Sequence, residues 1–168
     1  PDGQGESIEG QVALGHTRLS IIDLEGGAQP LRSPCGRYVL VANGEIYNHV
    51  ELRQELSALG APFLTGSDCE GILQGYALWG RNVLQRIEGM YAFALQDIQQ
   101  GEVLLARDPL GMKPLYWTDS ADGVRFASEL KALLALLPSA PDLNPLAIRQ
   151  YIEAQHPLSH NTPFDGVK

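Results

Sequence analysis

Val39-Leu40-Val41-Ala42 runs straight into Asn43-Gly44-Glu45-Ile46-Tyr47-Asn48. Four apolar residues rich in β-formers read as a buried strand, and Asn43-Gly44 is a pair that lets a backbone turn through positive φ. Taken alone, Asn-Gly after a strand is a hairpin turn. The residues beyond it argue for a turn between strand and helix instead. Asn48 and Glu51 have the spacing of a capping box, and Leu52, Leu56 and Leu59 recur at helical spacing until Gly60. The Asn43 side-chain amide then stands beside the unhindered N–H of Gly44 at the exit of a core strand, two donors able to converge on one developing oxyanion.

Upstream, Gln11 to Gly15 is a short strand leading into His16 to Asp23, apolar but for an embedded Arg18. A buried Arg18 needs an anionic partner because its desolvation is costly; the alternative is a surface arginine on an edge strand. Glu25 to Pro30 and Ser33 to Gly36 are loop and turn. In Thr65 to Glu70, Ser67 and Glu70 are again spaced as a capping box, and Ile72, Leu73, Tyr76, Leu78 and Trp79 form a helical apolar face up to Gly80. Asp68 falls in the first turn of that helix, where it either stabilises the helix end or offers a fixed carboxylate to a ligand ammonium.

Asn82 to Glu88 reads as a further short helix closed by Gly89. From Met90 the period becomes that of strands: Met90 to Leu95, Val103 to Ala106, Leu115 to Trp117 and Val124 to Ala127, an antiparallel meander. Arg107-Asp108-Pro109-Leu110-Gly111 interrupts it as a rigid loop with a structural Arg-Asp pair. Ser128-Glu129 opens a helix that Pro138 ends, and Asn144 with Pro145 opens another carrying Leu146, Ile148, Tyr151 and Ile152. The expected organisation is therefore one domain over 1–137, a proline-bearing linker over 138–143, and the start of a second domain over 144–168, with no internal repeat. The chain opens at Pro1 and closes at Lys168 as a fragment at both ends would.

With 168 residues, 44% hydrophobic and 19% charged, the chain can bury a real core. A formal net charge of −8 argues against nucleic acid or an anionic membrane as a partner. No apolar run reaches spanning length and no signal-peptide pattern opens the chain, so a cytoplasmic location is expected. Two cysteines, Cys35 and Cys69, without CxxC spacing suit a reducing compartment and suggest no metal site. Cys69 at a helix start could be imagined in a papain-like pair with His16 or His49, but the adjacent Asp68 opposes thiolate formation. One arginine, one Asn-Gly pair followed by Glu45, and one aspartate together suit a small zwitterion with a carbonyl to be attacked. Only the attacking group is missing.

The motifs carry a resemblance. Pro1-Asp2-Gly3, Gly15 to Asp23 (GHTRLSIID), Ala28-Gln29-Pro30, Asn43 to Asn48 (NGEIYN), Thr65 to Glu70 (TGSDCE), Gly89 to Ala94 (GMYAFA), Ala106 to Gly111 (ARDPLG), Lys113 to Tyr116 (KPLY) and Ala127 to Ala132 (ASELKA) stand in order over nearly the whole chain. Together they resemble the class II glutamine amidotransferase domain, and most of all that of glutamine-hydrolysing asparagine synthetases. The resemblance implies an α+β N-terminal-nucleophile fold, a four-layer αββα sandwich of two antiparallel sheets, here lacking its first strand. It implies L-glutamine as substrate, bound by Arg18, Leu19, Ile22, Asn43, Gly44, Glu45 and Asp68, with Asn43 and Gly44 as the oxyanion hole.

The nucleophile implied is a cysteine at the mature N-terminus, whose own α-amino group accepts the proton. Pro1-Asp2-Gly3 matches a segment that lies downstream of that cysteine in the family, and neither Cys35 nor Cys69 can replace it. The 168 residues are thus expected to hold the glutamine pocket without the chemistry. No cofactor is implied for this domain; ATP and Mg belong to the implied synthetase domain of the same chain, and a homodimer is left open. Two alternatives stand beside the synthetase: an amidotransferase acting on another acceptor, such as a small peptide or a cell-surface sugar, and a catalytically dead glutamine-binding module.

Overall fold

The computed structural model describes residues 3–18, 27–155 and 162–168, with Arg18 placed by its backbone alone. Two compact units divide the chain, Pro1–Lys113 and Pro114–Lys168. The first is built on the longest apolar run. Strands β4 (Tyr38–Ile46) and β5 (Gly89–Asp97) pair antiparallel over nine residues, from Tyr38 opposite Asp97 to Ile46 opposite Gly89. The short β3 (Leu31–Arg32) flanks β4 and β6 (Glu102–Arg107) flanks β5, giving the order β3-β4-β5-β6.

Alternation along the strands sends Leu40, Ala42 and Ile46, with Phe93 and Leu95, to one face. Helices α1 (His49–Ala58) and α2 (Glu70–Trp79) cover that face with Leu52, Leu56, Ile72, Leu73 and Tyr76, all in one buried cluster. The opposite face is buried as well, at Val39, Val41, Ala92 and Ala94. That is why the sequence shows continuous apolar runs here rather than an in-out alternation. A hairpin of β1 (Gly3–Glu9) and β2 (Val12–Arg18) is tied to this sheet by side chains. Gln96 Nε2 donates to Glu9 O at 3.1 Å and Arg32 donates to Ser7 Oγ at 2.8 Å.

Both helices of this unit lie where the apolar spacing put them, but neither is capped as expected. Asn48 makes no side-chain bond to its own helix. Its Nδ2 donates to Arg86 O and its Oδ1 accepts from Glu88 N, which staples the start of α1 to the approach of β5. Ser67 and Glu70 likewise form no capping box. The Glu70 carboxylate, 2% exposed, accepts from the N–H groups of Leu64 and Thr65 and from the Thr65 hydroxyl, closing the loop before α2. A capping box needs the side chains to fold back on the first turn; here neighbouring loop groups engage Asn48 and Glu70 instead. The helix expected over 82–88 is a 3-10 turn at Gly80–Gln85.

The second unit holds a hairpin of β7 (Tyr116–Ser120) and β8 (Gly123–Ala127), then α3 (Leu130–Ala135) and α4 (Pro145–Ala154). Asn144 caps α4 as its sequence position predicts, its Oδ1 accepting from Ala147 N at 3.1 Å. Lys168 exchanges both main-chain bonds with Trp117 at 2.9 Å, so the last residues extend this hairpin. The class is the expected α+β with antiparallel sheets throughout, and the strands fall into three hydrogen-bonded sets of two, four and two.

The loop after β6 is rigid, as its sequence suggests, and the reason is Asp108. Its buried carboxylate accepts from the N–H groups of Tyr91, Leu110, Met112 and Lys113, while Arg107 turns away to donate to Gly111 O and Lys113 O. Burial alone would raise the Asp108 pKa; the backbone donors outweigh it and hold it below the ordinary carboxylate value. Asp108→Ala leaves buried donors without a partner, and a loss of about 3 kcal/mol is expected, read as a lowered denaturation midpoint. Since the folded pKa is the depressed one, the stabilisation is complete above the unfolded value near 4 and disappears as pH falls through the folded value. The stability gap between parent and Asp108→Asn should therefore narrow below about pH 4; a gap constant with pH would show that charge plays no part.

Candidate active site

One edge of β4 is satisfied by β5, and the antiparallel pattern fixes which peptide groups face the other. Tyr47 N donates toward β5, to Glu88 O at 2.7 Å, whereas Ile46 N donates to the opposite side, to Asp68 Oδ2 at 2.7 Å. Residues 40, 42, 44 and 46 thus turn their N–H and C=O away from β5. Leu40 meets Leu31 of β3 there. Ala42 meets a side chain in place of a strand: Gln29 Nε2 donates to Ala42 O at 2.9 Å, and Ala42 N donates to Gln29 Oε1 at 2.6 Å. His16 Nε2 lies 3.1 Å from the same Ala42 oxygen.

Gly44 stands between these two held peptide groups, and among the described residues nothing accepts from its N–H. Tyr91, opposite it on β5, has already committed its N–H and C=O to Asp108. The neighbouring side chains are open too. Asn43 and Glu45 are half-buried on the face of β4 away from the helices, and no described residue bonds the Asn43 amide or the Glu45 carboxylate. A free amide and a free backbone N–H on consecutive residues, at an interrupted sheet edge, are the elements of an anion-stabilising pair.

Asn43-Gly44 is neither a hairpin turn nor the turn into α1. Both residues continue β4, paired with Ala92 and Tyr91, and the chain turns only at Tyr47-Asn48. Glycine is required by a close approach instead. A Cβ on Gly44 would meet Met90 O and stand 2.7 Å from Tyr91 Cα, and one on Gly89 would meet Glu45 O and Ile46 Cα. The two strands cross too tightly here for side chains.

Asp68 lies just before α2 rather than in its first turn, and the residue is 6% exposed. It is fixed on the Ile46 N–H, two residues along the same open edge from Gly44. Cys69 beside it is buried; burial, then the charge of Asp68, push its thiol far above the ordinary range. Cys35 is exposed in the loop between β3 and β4, its thiol lowered by the Ser33 hydroxyl at 3.4 Å. Neither cysteine joins the edge at Gly44. Of the other candidate residues, the Arg18 side chain, Leu19 and Ile22 lie outside the described residues. Gln29 and His16 were not foreseen at this edge. The signal was only a polar residue before Pro30 and a histidine in a strand, neither of which names Ala42 as the partner.

A family description, glutamine amidotransferase domain, matches residues 1–168. The chain belongs to the class II glutamine amidotransferases. Over 181 aligned residues this amidotransferase domain is 44% identical to a putative asparagine synthetase [glutamine-hydrolyzing] of Mycobacterium tuberculosis, covering all of this chain and 28% of that protein. It is 45% identical over 135 residues to asparagine synthetase B [glutamine-hydrolyzing] of Escherichia coli, covering 80% of this chain and 24% of that one. Among solved structures, glutamine phosphoribosylpyrophosphate amidotransferase from B. subtilis superposes with a TM-score of 0.61 at 30% identity, over 74% of this chain and 29% of that one. The amidotransferase domain thus spans about a quarter of the length of these relatives. No helix among its described residues is long and apolar enough to cross a membrane.

Alkylation tests the two thiols. In the folded chain at mildly alkaline pH, iodoacetamide should modify Cys35 and leave Cys69 untouched until denaturant is added, as read by peptide mass spectrometry. Rapid modification of Cys69 in the folded state would return it to the list of nucleophiles.

Proposed function

We propose that this chain is the glutaminase part of a glutamine-hydrolysing asparagine synthetase. It binds L-glutamine along the open edge of β4 and releases ammonia for the amidation of aspartate by an ATP- and Mg-dependent synthetase domain of the same protein. The observation that carries the proposal is the Gly44 N–H beside the Asn43 amide, neither engaged among the described residues, between peptide groups held by Gln29 and Asp68. In this assignment residues 1–137 are the amidotransferase domain of the four-layer sandwich type, 138–143 the linker and 144–168 the entry to the synthetase domain. A cytoplasmic setting goes with it.

The chemistry is acyl transfer. A cysteine thiol supplied from outside these 168 residues gives its proton to its own α-amino group and attacks Cδ of glutamine. The carbonyl oxygen becomes an oxyanion, which accepts from Gly44 N–H and the Asn43 amide. Collapse breaks the C–N bond, the α-amino group returns the proton to the leaving nitrogen, and ammonia departs. Water then cleaves the γ-glutamyl thioester to glutamate and regenerates the thiol. Arg18, with Leu19 and Ile22 beside it, takes the substrate carboxylate, and Asp68 and Glu45 flank the ammonium.

Two substitutions, in a chain that carries the cysteine, separate these roles. Asn43→Ala removes a donor that matters once charge has developed, so kcat should fall on the order of a hundred- to a thousandfold with KM for glutamine little changed. A lowered thermal midpoint with intact kcat would remove Asn43 from the mechanism. Asp68→Asn keeps an acceptor for Ile46 N–H and loses only the charge. KM should therefore rise roughly ten- to a hundredfold at near-constant stability. An unchanged KM would leave Asp68 as a pin for the strand edge alone.

A further inference from the structure

The bond pattern at Ala42 carries a consequence for Gly44. An edge strand without a neighbour has unmet N–H and C=O groups at every second residue. On β4 the neighbour β3 runs out at Leu31, opposite Leu40. At the next position along the edge, Ala42, both main-chain groups are taken by the single planar amide of Gln29, at 2.9 and 2.6 Å. An amide is the one side-chain group that reproduces a facing peptide, donor and acceptor together, at fixed spacing. Gln29 thus acts as one residue of a strand.

We propose that Gln29 is a positioning residue for the oxyanion pair. It takes the last strand-like place on the edge of β4 and holds both peptide planes that meet at Ala42, the second of which, through Ala42 O, is shared with Asn43. Among the described residues the first unoccupied N–H beyond it is then that of Gly44, set at a fixed angle to the Asn43 side chain. His16, 3.1 Å from the oxygen that Gln29 also binds, supports the same plane from the β1–β2 hairpin. Gln29 touches no substrate in this arrangement and acts only through the backbone. The inference rests on the oxyanion role proposed above for Asn43 and Gly44, and it adds a residue that does not belong to the pocket itself.

Loss of Gln29 is expected to loosen transition-state geometry rather than substrate affinity. In the cysteine-bearing chain, Gln29→Met, similar in length without either bond, should lower kcat roughly tenfold or more while KM for glutamine stays within about twofold. Gln29→Glu keeps the acceptor for Ala42 N–H but sets a carboxylate oxygen against Ala42 O, in the plane shared with Asn43, so a fall in kcat comparable to that of Gln29→Met, with the same constant KM, is expected. This second variant carries the test should the methionine variant not fold.

A double-mutant cycle with Asn43→Ala distinguishes positioning from general stability. If Gln29 works through the oxyanion pair, its substitution costs markedly less once Asn43 is gone; full additivity would overturn the proposal. So would a kcat at the parent value in both Gln29 variants while Asn43→Ala is slow. If instead Asn43→Ala itself retains normal kcat, the oxyanion assignment is what fails, and the positioning role fails with it.

Discussion

The first unit depends on how β4 satisfies its two edges while both of its faces are buried from Tyr38 to Ala42. A strand in that position has no water to fall back on, so each N–H and C=O needs a partner or costs free energy comparable to a lost hydrogen bond. β5 supplies the partners along one edge over nine residues. The other edge is satisfied piecemeal: by two residues of β3, by the Gln29 amide, and, past Gly44, by the Asp68 carboxylate. Three different kinds of partner do what one long strand would do. The interruption at Gly44 is consequently a bounded gap rather than a frayed end, and bounded gaps are where a ligand can meet backbone at fixed geometry.

The crossing of β4 and β5 explains why the gap sits at a glycine. Toward Gly89 the backbones approach until a Cβ at either glycine would strike the opposite main chain. That approach keeps the strand straight through Asn43-Gly44 instead of letting it turn. Beyond it, Tyr47-Asn48 turns the chain, and the Asn48 amide fastens that turn to Arg86 and Glu88. The helix layer then follows directly from the strand, with Leu52 and Leu56 delivered to the same cluster as Leu40 and Ile46.

How much of this was legible in the sequence follows from whether a signal is local. Apolar periodicity is, and it placed α1, α2, α4 and β4 to β8 within a few residues. The Asn144 cap was legible because its acceptor bonds three residues along the same chain. Asn48 shows the same local spacing but is claimed by Arg86 and Glu88, up to 40 residues away, while Glu70 is taken by the loop just before its own helix, at Leu64 and Thr65. Asn43-Gly44 reads as a turn in the sequence and continues a strand in the structure: a turn propensity is written in the dipeptide, whereas an antiparallel crossing at Met90 and Tyr91 is not. Gln29 was invisible as anything but loop, since nothing local names Ala42. The order and spacing of many motifs did carry the family, because a chain of short matches constrains identity far more than any one of them.

Asp68 shows how the charge of such an edge can be kept compatible with acyl chemistry. It is fixed two residues from Gly44, about 7 Å along an extended strand. In the mechanism proposed above, a bare carboxylate at that range would oppose a developing oxyanion by about 2 kcal/mol at an effective dielectric near 20. In that mechanism a substrate ammonium seated on Asp68 would cancel most of that field, leaving the carboxylate harmless to the oxyanion only with the correct zwitterion bound. Burial first, and then the same charge, push the Cys69 thiol far above its ordinary range. One buried aspartate thus pins the strand edge through Ile46 and opposes ionisation of the thiol next to it; in the proposed mechanism it would also leave the oxyanion pair electrostatically favourable only with a cationic amino group bound.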